Sequence, residues 1–430
     1  MSNKKTNSLI WFRNNLRIED NQALYNAVQN SSKLIGYINI DPNNLIETEH
    51  GFRKMEKYRA KFLLESVENL KNNLNKLNIS LIVDFQTLEK SLKYVIDKYS
   101  VQSIYLQKEW TRDEKDEERK IPNNINTYRY FDQFLYSPER VKTIYDNIPR
   151  GFSNFRKKCE KYLDVESITP IPNKMDQNNV LDEEFEIPTL RDLGFEEFEI
   201  HESSVFKFLG GETSGKNRIE EYFFKSRNIS NYKNTRNGLI GKDYSSKFSP
   251  WLANGSISAR FIYYKLNEYE KTIDKNDSTY WLFFELIWRD FFKYVSMQHK
   301  NKFFSKDGIY GNNKEWSLDK KNFRDWMNGK TSEPFVNANM IELSKTGFMS
   351  NRGRQNVANF LTKELKIDWR IGAEYFEAML IDYDVHSNYG NWLYNAGIGN
   401  DSMPFRKFNP TLQSDRYDPN KNYENLWLND

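Results

Sequence analysis

The first third of the chain alternates short apolar runs with segments whose apolar residues recur at helical spacing. Five runs are predicted to be buried strands: residues 9–12, 37–40, 81–85, 103–106 and 127–131. Between the second and third runs, one face of a predicted helix is apolar: Leu63, Val67, Leu70, Leu74 and Leu77. Strands that alternate with helices predict a doubly wound parallel α/β domain over residues 1–135.

Parallel sheets of this kind bind ligands beyond the carboxyl ends of their strands. Residues 13–20 follow the first predicted strand, and Glu109 follows the fourth. Glu109 is therefore a candidate ligand contact, although a surface glutamate that only aids solubility is the alternative.

Residues 136–215 have no clear periodicity and carry several prolines, which predicts a long connector that wraps the surface. Within it, residues 210–217 imitate a phosphate-binding P-loop. Asn217 stands where a Ser or Thr would hold magnesium, so we expect a turn that leads into a helix instead.

Helical patterns dominate residues 216–430 and predict an all-helical domain. The segment 280–292 is too apolar for a surface helix, yet it contains Glu285 on the same helical face as Trp288. A carboxylate in such surroundings needs a partner or a function. Arg289, one turn later, is the candidate partner, and a functional role for Glu285 is the alternative.

Composition narrows the classes of function. Aromatic residues make up 15% of the chain and include ten tryptophans, which suits stacking on bases, flavins or pterins as well as burial. The 63 basic and 60 acidic residues give a net charge of +3, so a uniformly basic coat is excluded while a local basic surface is not. The single cysteine, Cys159, excludes an internal disulfide and a zinc ligand set, and we predict no metal site.

The chain has no run of about 18 apolar residues and no recognisable leader, so we expect a cytoplasmic protein without a membrane span. Nuclear and organellar addresses stay open.

Polar chemistry is concentrated in three stretches, at residues 244–252, 347–356 and 380–394. The serines of the first stretch offer hydroxyls and, with the charges of Lys247 and Arg289, suit a diphosphate. In the other two, Arg354 could pair with Asp382, while Asp384 and Asn388 could address the edge of a heterocycle. A polar loop that only caps a helix is the plainer interpretation of residues 380–394.

Four segments carry a specific resemblance: YSSKFSPWLA at 244–253, FELIWRDFF at 284–292, TGFMSNRGRQNVA at 346–358 and DYDVHSNYGNW at 382–392. In this order they resemble the photolyase/cryptochrome family, and most closely its DASH-type cryptochromes. The similarity covers essentially the whole chain, and long motifs in the right order are far more specific than a lone signature.

The resemblance implies an α/β antenna domain, a connector and a helical domain that holds FAD. It assigns the phosphates, the ribityl chain and their surroundings to Tyr232, Ser245, Ser246, Lys247, Phe248, Ser249 and Arg289. It places these residues around the flavin ring: Asn351, Arg354, Asp382, Asp384 and Asn388, with Glu285 at its edge. Asn388 is expected to face N5, where an amide can bias the redox state of the ring.

The implied activity is light-driven splitting of cyclobutane pyrimidine dimers that are flipped out of DNA. The dimer pocket would comprise Glu285, Trp288, Asn351, Gln355 and Tyr394. Trp392, Trp369 and Trp316 match the family's electron relay, although in isolation each is an ordinary core residue.

Gln355 and Tyr394 resemble the DASH forms of the pocket, where other photolyases tend to have Met and Trp. A second tryptophan would add stacking, so its loss predicts a preference for single-stranded or looped DNA. Arg236 and Arg352 are candidate phosphate contacts, with a solvated surface as the alternative.

Glu109 matches the family position that binds the antenna 5,10-methenyltetrahydrofolate. Asn15, where relatives commonly carry Asp, departs from the family pattern. We expect a monomer. The rival functions are a blue-light photoreceptor that signals with little repair, and a nucleic-acid binder without flavin.

Overall fold

The computed structural model describes residues 5–429. Its N-terminal part contains a five-stranded, entirely parallel sheet in the order β3-β2-β1-β4-β5. The strands are β1 (Thr6–Trp11), β2 (Ser31–Asn39), β3 (Leu81–Asp84), β4 (Ser103–Gln107) and β5 (Asn126–Tyr130). The predicted sheet is confirmed, except that β2 begins earlier than its apolar run because its polar start pairs with Thr6 of β1.

Helices cover both faces of this sheet: α1 (Gln22–Asn30), α2 (Lys57–Asn75), α3 (Leu88–Lys98) and α4 (Arg112–Glu118). Leu9 and Ile10 are neighbours in β1 but belong to different cores, because side chains alternate along a strand. Ile10 packs with α1 and α2, whereas Leu9 packs with α3. This is the doubly wound arrangement that the sequence predicts.

The connector forms α5 (Pro138–Lys142) and α6 (Phe152–Tyr162) and then runs without long helices to α7 (Glu212–Glu220). Phe155 of α6 joins the core of the helical domain, while Leu190 and Leu193 pack on the α/β domain. The connector thus contacts both domains. The division at residues 1–135, 136–215 and 216–430 stays a prediction.

The segment that imitates a P-loop is a tight turn against α2. A Cβ atom at Gly210 would lie 2.4 Å from the backbone oxygen of Phe62. Lys216 forms ion pairs of 2.6 Å with both Glu19 and Glu212 and is therefore not free to bind a phosphate. The expected turn into a helix is confirmed.

The remaining helices form the C-terminal domain. They are α8 (Tyr232–Thr235), α9 (Ser249–Ala253), α10 (Ala259–Thr272), α11 (Asp277–His299), α12 (Lys320–Met327), α13 (Pro334–Thr346), α14 (Asn351–Asn359), α15 (Trp369–Met379), α16 (Val385–Ala396), α17 (Pro410–Tyr417) and α18 (Asn422–Leu428). Helix α11 packs against α16, and α15 packs against the same helix. Two of the three polar stretches thus lie in or beside a central group of helices.

Buried polar contacts join the two domains. Arg260 of α10 donates to Asp20 at 2.8 Å, and both side chains are almost fully buried. Asp290 of α11 accepts the backbone N–H groups of Leu135 and Tyr136. These bonds fix the α/β domain relative to the helices that carry the site. Within residues 5–429, no helix combines the length and apolarity needed to cross a membrane.

Candidate functional site

The stretch at 244–252 forms a loop that ends in α9. Arg218 of α7 holds this loop from behind by donating to the backbone oxygens of Lys242, Ser245 and Ser246. Lys247 adopts the left-handed region with φ +61°, a conformation that costs a non-glycine residue on the order of 1–3 kcal/mol. Its side chain is buried, and the Nζ atom has no hydrogen-bond partner.

Burial lowers the pKa of Lys247 well below its usual value because the ammonium loses its hydration. A strained backbone that supports a buried, unpaired amino group suits a site that receives an anion.

A cavity of about 420 Å³ opens in front of this loop. Its walls come from all three polar stretches and from α8 and α11. It gathers these predicted residues: Tyr232, Arg236, Ser245, Ser246, Lys247, Phe248, Ser249, Glu285, Trp288, Arg289, Asn351, Arg352, Arg354, Gln355, Asp382 and Tyr394. All the side chains assigned to the dimer, and those assigned to FAD except Asp384 and Asn388, therefore line one cavity.

Glu285 does not pair with Arg289. Its carboxylate pairs with Arg236 of the segment after α8, whereas Arg289 donates to the backbone oxygens of Gln133 and Leu252 at 2.6 and 2.9 Å. The spacing of one helical turn was misleading because the two side chains diverge toward different neighbours. Burial raises the pKa of Glu285, and Arg236 only partly opposes this shift.

Arg354 and Asp382 form the predicted ion pair, with 2.8 Å between Nη2 and Oδ2. The Nε atom of Arg354 also donates to the backbone oxygen of Met349. Oδ1 of Asp382 is buried without a hydrogen-bond partner. The pair therefore offers one unsatisfied acceptor beside the cavity.

Asp384 is not among the residues that line this cavity, and its assignment to the flavin stays a prediction. It caps α16 by accepting the N–H of Ser387 at 2.7 Å and pairs with Lys293 at 2.9 Å. Although burial disfavours its charge, Lys293, His386 and Arg289 hold the pKa of Asp384 well below its usual range. Its carboxylate instead faces a second cavity between the domains.

Asn388 lies one layer behind the cavity wall. Its Nδ2 donates to the backbone oxygen of Ala373 in α15 at 2.9 Å, which fixes the orientation of the amide. The side chain is buried and does not line the cavity. Its role at N5 stays a prediction.

The side of the cavity assigned to the dimer is aromatic. Trp288 stacks on Phe152 with ring centroids 3.7 Å apart and meets Tyr394 edge to face at 6.2 Å. Arg352 donates to Gln355 at 2.9 Å and to Asn237 at 3.0 Å. Arg236 and Arg352 are therefore held by polar partners rather than fully solvated.

The three tryptophans assigned to the relay lie on α16 (Trp392), at the start of α15 (Trp369) and in the segment before α12 (Trp316). Trp392 is buried against Gly372 of α15, one turn from Trp369. The indole N–H groups of Trp369 and Trp316 both donate to the backbone oxygen of Lys306, at 3.3 and 2.9 Å. Trp316 is half-buried, so this row of rings leads outward.

A second cavity of about 230 Å³ lies between the domains, at the carboxyl ends of β1 and β4. Glu109 lines it, accepts from Gln107 at 2.7 Å and lies 4.0 Å from His386. Burial opposes its charge, but His386 and Arg13 lower the pKa of Glu109. The predicted ligand region beyond the strand ends is thus a cavity, and Glu109 is a charged group within it.

Known proteins resemble this chain over its whole length. A family model for DNA photolyase matches residues 8–175, and one for the FAD binding domain of DNA photolyase matches residues 281–430. The Gloeobacter violaceus cryptochrome DASH is 42% identical over 98% of this chain and 85% of its own length. The chain belongs to the cryptochrome DASH family. The crystal structure of a Synechocystis cryptochrome has 41% identity and a TM-score of 0.93, covering 100% of this chain and 90% of that one.

Relatives in this family come from distant organisms. The Arabidopsis thaliana cryptochrome DASH, named chloroplastic/mitochondrial, is 40% identical over 98% of this chain and 75% of its own length. An archaeal photolyase from Sulfolobus tokodaii, described with two FAD molecules, has 28% identity and a TM-score of 0.79 over 98% of this chain and 90% of that one. The resemblance drawn from the four segments is confirmed.

The residues of this cryptochrome DASH family member fit FAD. The diphosphate needs cations and hydroxyls, and the loop supplies the unpaired Lys247 amino group beside three serines. The ring needs a hydrogen-bond acceptor, and Oδ1 of Asp382 is a buried acceptor without a partner. Nζ of Lys247 and Oδ1 of Asp382 therefore lack hydrogen-bond partners within the protein, and FAD could supply a partner to each.

Some lining residues were not predicted as site residues, among them Ser387 and Asn391. Both lie on α16 on the same helical face as Tyr394, and this spacing could have revealed them. Asn388 and Trp392 lie on the next face and pack toward α15. These residues are close together in the sequence motif, but the helix points one group into the cavity and the other toward α15.

Proposed function

We propose that this cryptochrome DASH family member repairs cyclobutane pyrimidine dimers in a light-dependent reaction, preferably in single-stranded or looped DNA. The observation that carries the proposal is the single cavity of about 420 Å³. Its loop at 244–249 suits a flavin diphosphate, and Glu285, Trp288 and Tyr394 line the same space.

FAD, when bound and reduced, supplies a light-excited electron that opens the cyclobutane ring and afterwards returns to the flavin. The chain's own residues bind and orient the two reactants. Arg354 fixes the carboxylate of Asp382, and Arg289 is fixed by two backbone oxygens, so neither side chain needs to reorganise. Preorganised partners of this kind position reactants at low entropic cost.

Glu285 would hydrogen-bond the dimer as a neutral acid. Burial already raises its pKa, and the charge of Arg236 opposes this shift. We propose that Arg236 exchanges this carboxylate for a phosphate of the DNA strand. Glu285 then loses its cation and gains a proton, which it can share with the pyrimidine oxygens.

The preference for single strands follows from the aromatic side of the pocket. Trp288 already stacks on Phe152 on one face and meets Tyr394 only edge to face. Extrusion from a duplex costs a few kcal/mol, and stacking on one ring recovers only about 1–3 kcal/mol per base. A single strand needs little extrusion.

We further propose that the cavity at Glu109 holds 5,10-methenyltetrahydrofolate as an antenna. The support is a buried, ionised carboxylate in a cavity at the strand ends, where an amino-pteridine edge could donate to it. We also propose that the protein is a monomer and works in the cytoplasm.

The test is a repair assay with one dimer placed in a single-stranded oligonucleotide and in the matched full duplex. We expect repair in blue light and none in the dark, with faster turnover on the single strand. Equal turnover on both substrates would overturn the preference.

A blue-light photoreceptor is the second candidate. The row of Trp392, Trp369 and Trp316 favours it, because light-driven electron transfer toward the flavin needs no DNA. A protein that carries a reducible flavin but repairs neither substrate would favour this function over repair.

A further inference from the structure

A buried polar chain lies behind the loop at 244–249. Tyr423 of α18 approaches two side chains of α13: its hydroxyl lies 2.6 Å from Oε2 of Glu342 and 3.1 Å from Oδ1 of Asn339. All three residues are at most 1% exposed. None of them lines the flavin cavity, so the reaction described above does not use them.

The Tyr423 hydroxyl can satisfy both contacts at once when Glu342 carries a proton. Nδ2 of Asn339 donates to the backbone oxygen of Phe335 at 2.7 Å, so the atom that faces Tyr423 is an acceptor. The Tyr423 hydroxyl has one hydrogen and cannot donate it to both neighbours. Both contacts are hydrogen bonds only if Glu342 donates to Tyr423 while Tyr423 donates to Asn339. Burial supports this arrangement, because it raises the pKa of Glu342 to about 7.

The other oxygen of Glu342, Oε1, is buried without a partner, as is the Nζ atom of Lys247. The two groups act on each other: Lys247 lowers the pKa of Glu342, and Glu342 raises that of Lys247. Two other groups act on Glu342, namely Tyr423 and Arg354. The other charged groups that act on Lys247 are Arg218, Arg354 and Asp243. The hydroxyl of Tyr244 is a further titratable group, and Glu342 raises its pKa. Of the two cations that lower the pKa of Glu342, Lys247 has the larger effect and Arg354 the smaller, so we infer that Lys247 is the cation that an ionised Glu342 would capture.

We propose that Glu342 is a positioning residue that acts through Lys247 on the binding of the flavin's diphosphate. A bound diphosphate favours the ammonium form of Lys247, and a neutral Glu342 leaves that ammonium available to the diphosphate. As a carboxylate, Glu342 draws the ammonium into an internal ion pair and repels the diphosphate. The inference rests on the proposed FAD site in this cavity.

Because the pKa of Glu342 is raised, FAD binding should weaken as the pH increases. Below about pH 7 Glu342 is neutral and FAD is held tightly; as the pH rises through this value, Glu342 ionises and FAD is held less tightly. The test is the rate at which the purified holoprotein releases FAD, followed by the rise in flavin fluorescence. We expect release to become roughly tenfold faster from about pH 6 to about pH 8.

Glu342→Gln separates this mechanism from a general loosening of the protein. The amide can donate to Tyr423 as the acid does but cannot ionise, so release should stay at the slow, low-pH rate throughout. Glu424→Gln is the matched control, because Glu424 is a buried carboxyl group on α18 that contacts Ser414 and Lys421 instead. It should keep the wild-type pH profile.

Lys247→Gln, reconstituted with excess FAD, should release FAD quickly at every pH, because no ammonium remains to be withdrawn. A flat wild-type profile, or a Glu342→Gln profile that still rises with pH, would overturn the inference. A protein that never binds FAD would contradict the proposed function itself, so the two failures are distinguishable.

Discussion

At the scale of single residues, the relay assignment depends on which tryptophan passes an electron to Trp392. Two tryptophans are near it. Trp369 lies one turn from Gly372, on which Trp392 packs, and Trp326 lies 6.3 Å from Trp392 between ring centroids. Trp369 is linked to a half-buried tryptophan, because it shares the Lys306 carbonyl with Trp316. Trp326 is fully buried.

Trp369→Phe should therefore slow flavin photoreduction by an external donor at least tenfold, since one step of the path would have to be bridged by a ring that is hard to oxidise. FAD content should not change, because Trp369 does not line the cavity. Absorbance during blue illumination measures both quantities. Trp326→Phe is the matched control, and its flavin should be photoreduced at the wild-type rate. If Trp326→Phe slowed photoreduction and Trp369→Phe did not, the relay assignment would be wrong.

At the scale of elements, α16 shows what the sequence could predict and what it could not. The motif DYDVHSNYGNW contains the start of α16, which was not predicted from the sequence, whereas the predicted Arg354–Asp382 pair is confirmed. The partner of Asp384 is Lys293, 91 residues away on α11. No local spacing encodes that contact, so the sequence could not predict it. Arg236 and Glu285 are a similar case, 49 residues apart.

The packing of α15 on α16 gives a test of the same element. A Cβ atom at Gly372 would lie 2.4 Å from Cη2 of Trp392 and 2.6 Å from Cδ2 of Leu361. Alanine gains roughly 1 kcal/mol of helix propensity, but overpacking costs about 1–3 kcal/mol. We expect Gly372→Ala to lower the free energy of unfolding by up to about 2 kcal/mol.

Urea denaturation measures this change. Gly151→Ala is the control, because no atom lies within 4 Å of a Cβ built there and its φ is negative. A Gly372→Ala protein as stable as the control would show that Trp392 can move, and the rigid placement of the ring would then be wrong.

At the scale of the whole molecule, the sequence predicts the parallel sheet and the helical domain better than it predicts the contacts between them. Alternating apolar runs predict the parallel sheet, and aromatic helical segments predict the C-terminal domain, because both signals are periodic. The interdomain cavity at Glu109 depends on residues from β1, β4, α11 and α16. Its location was predictable from the rule for strand ends, whereas its helical wall, with Lys293 and His386, follows only from the packing of the two domains.

The central claim is that one cavity places a flavin and a flipped-out dimer side by side. The most direct measurement is the excited-state lifetime of the reduced flavin in the holoprotein, with a single-stranded oligonucleotide that contains one dimer or with the same strand undamaged. The dimer should shorten the lifetime, because it accepts the electron across the cavity, and the undamaged strand should not. Equal lifetimes with both strands bound would contradict the account.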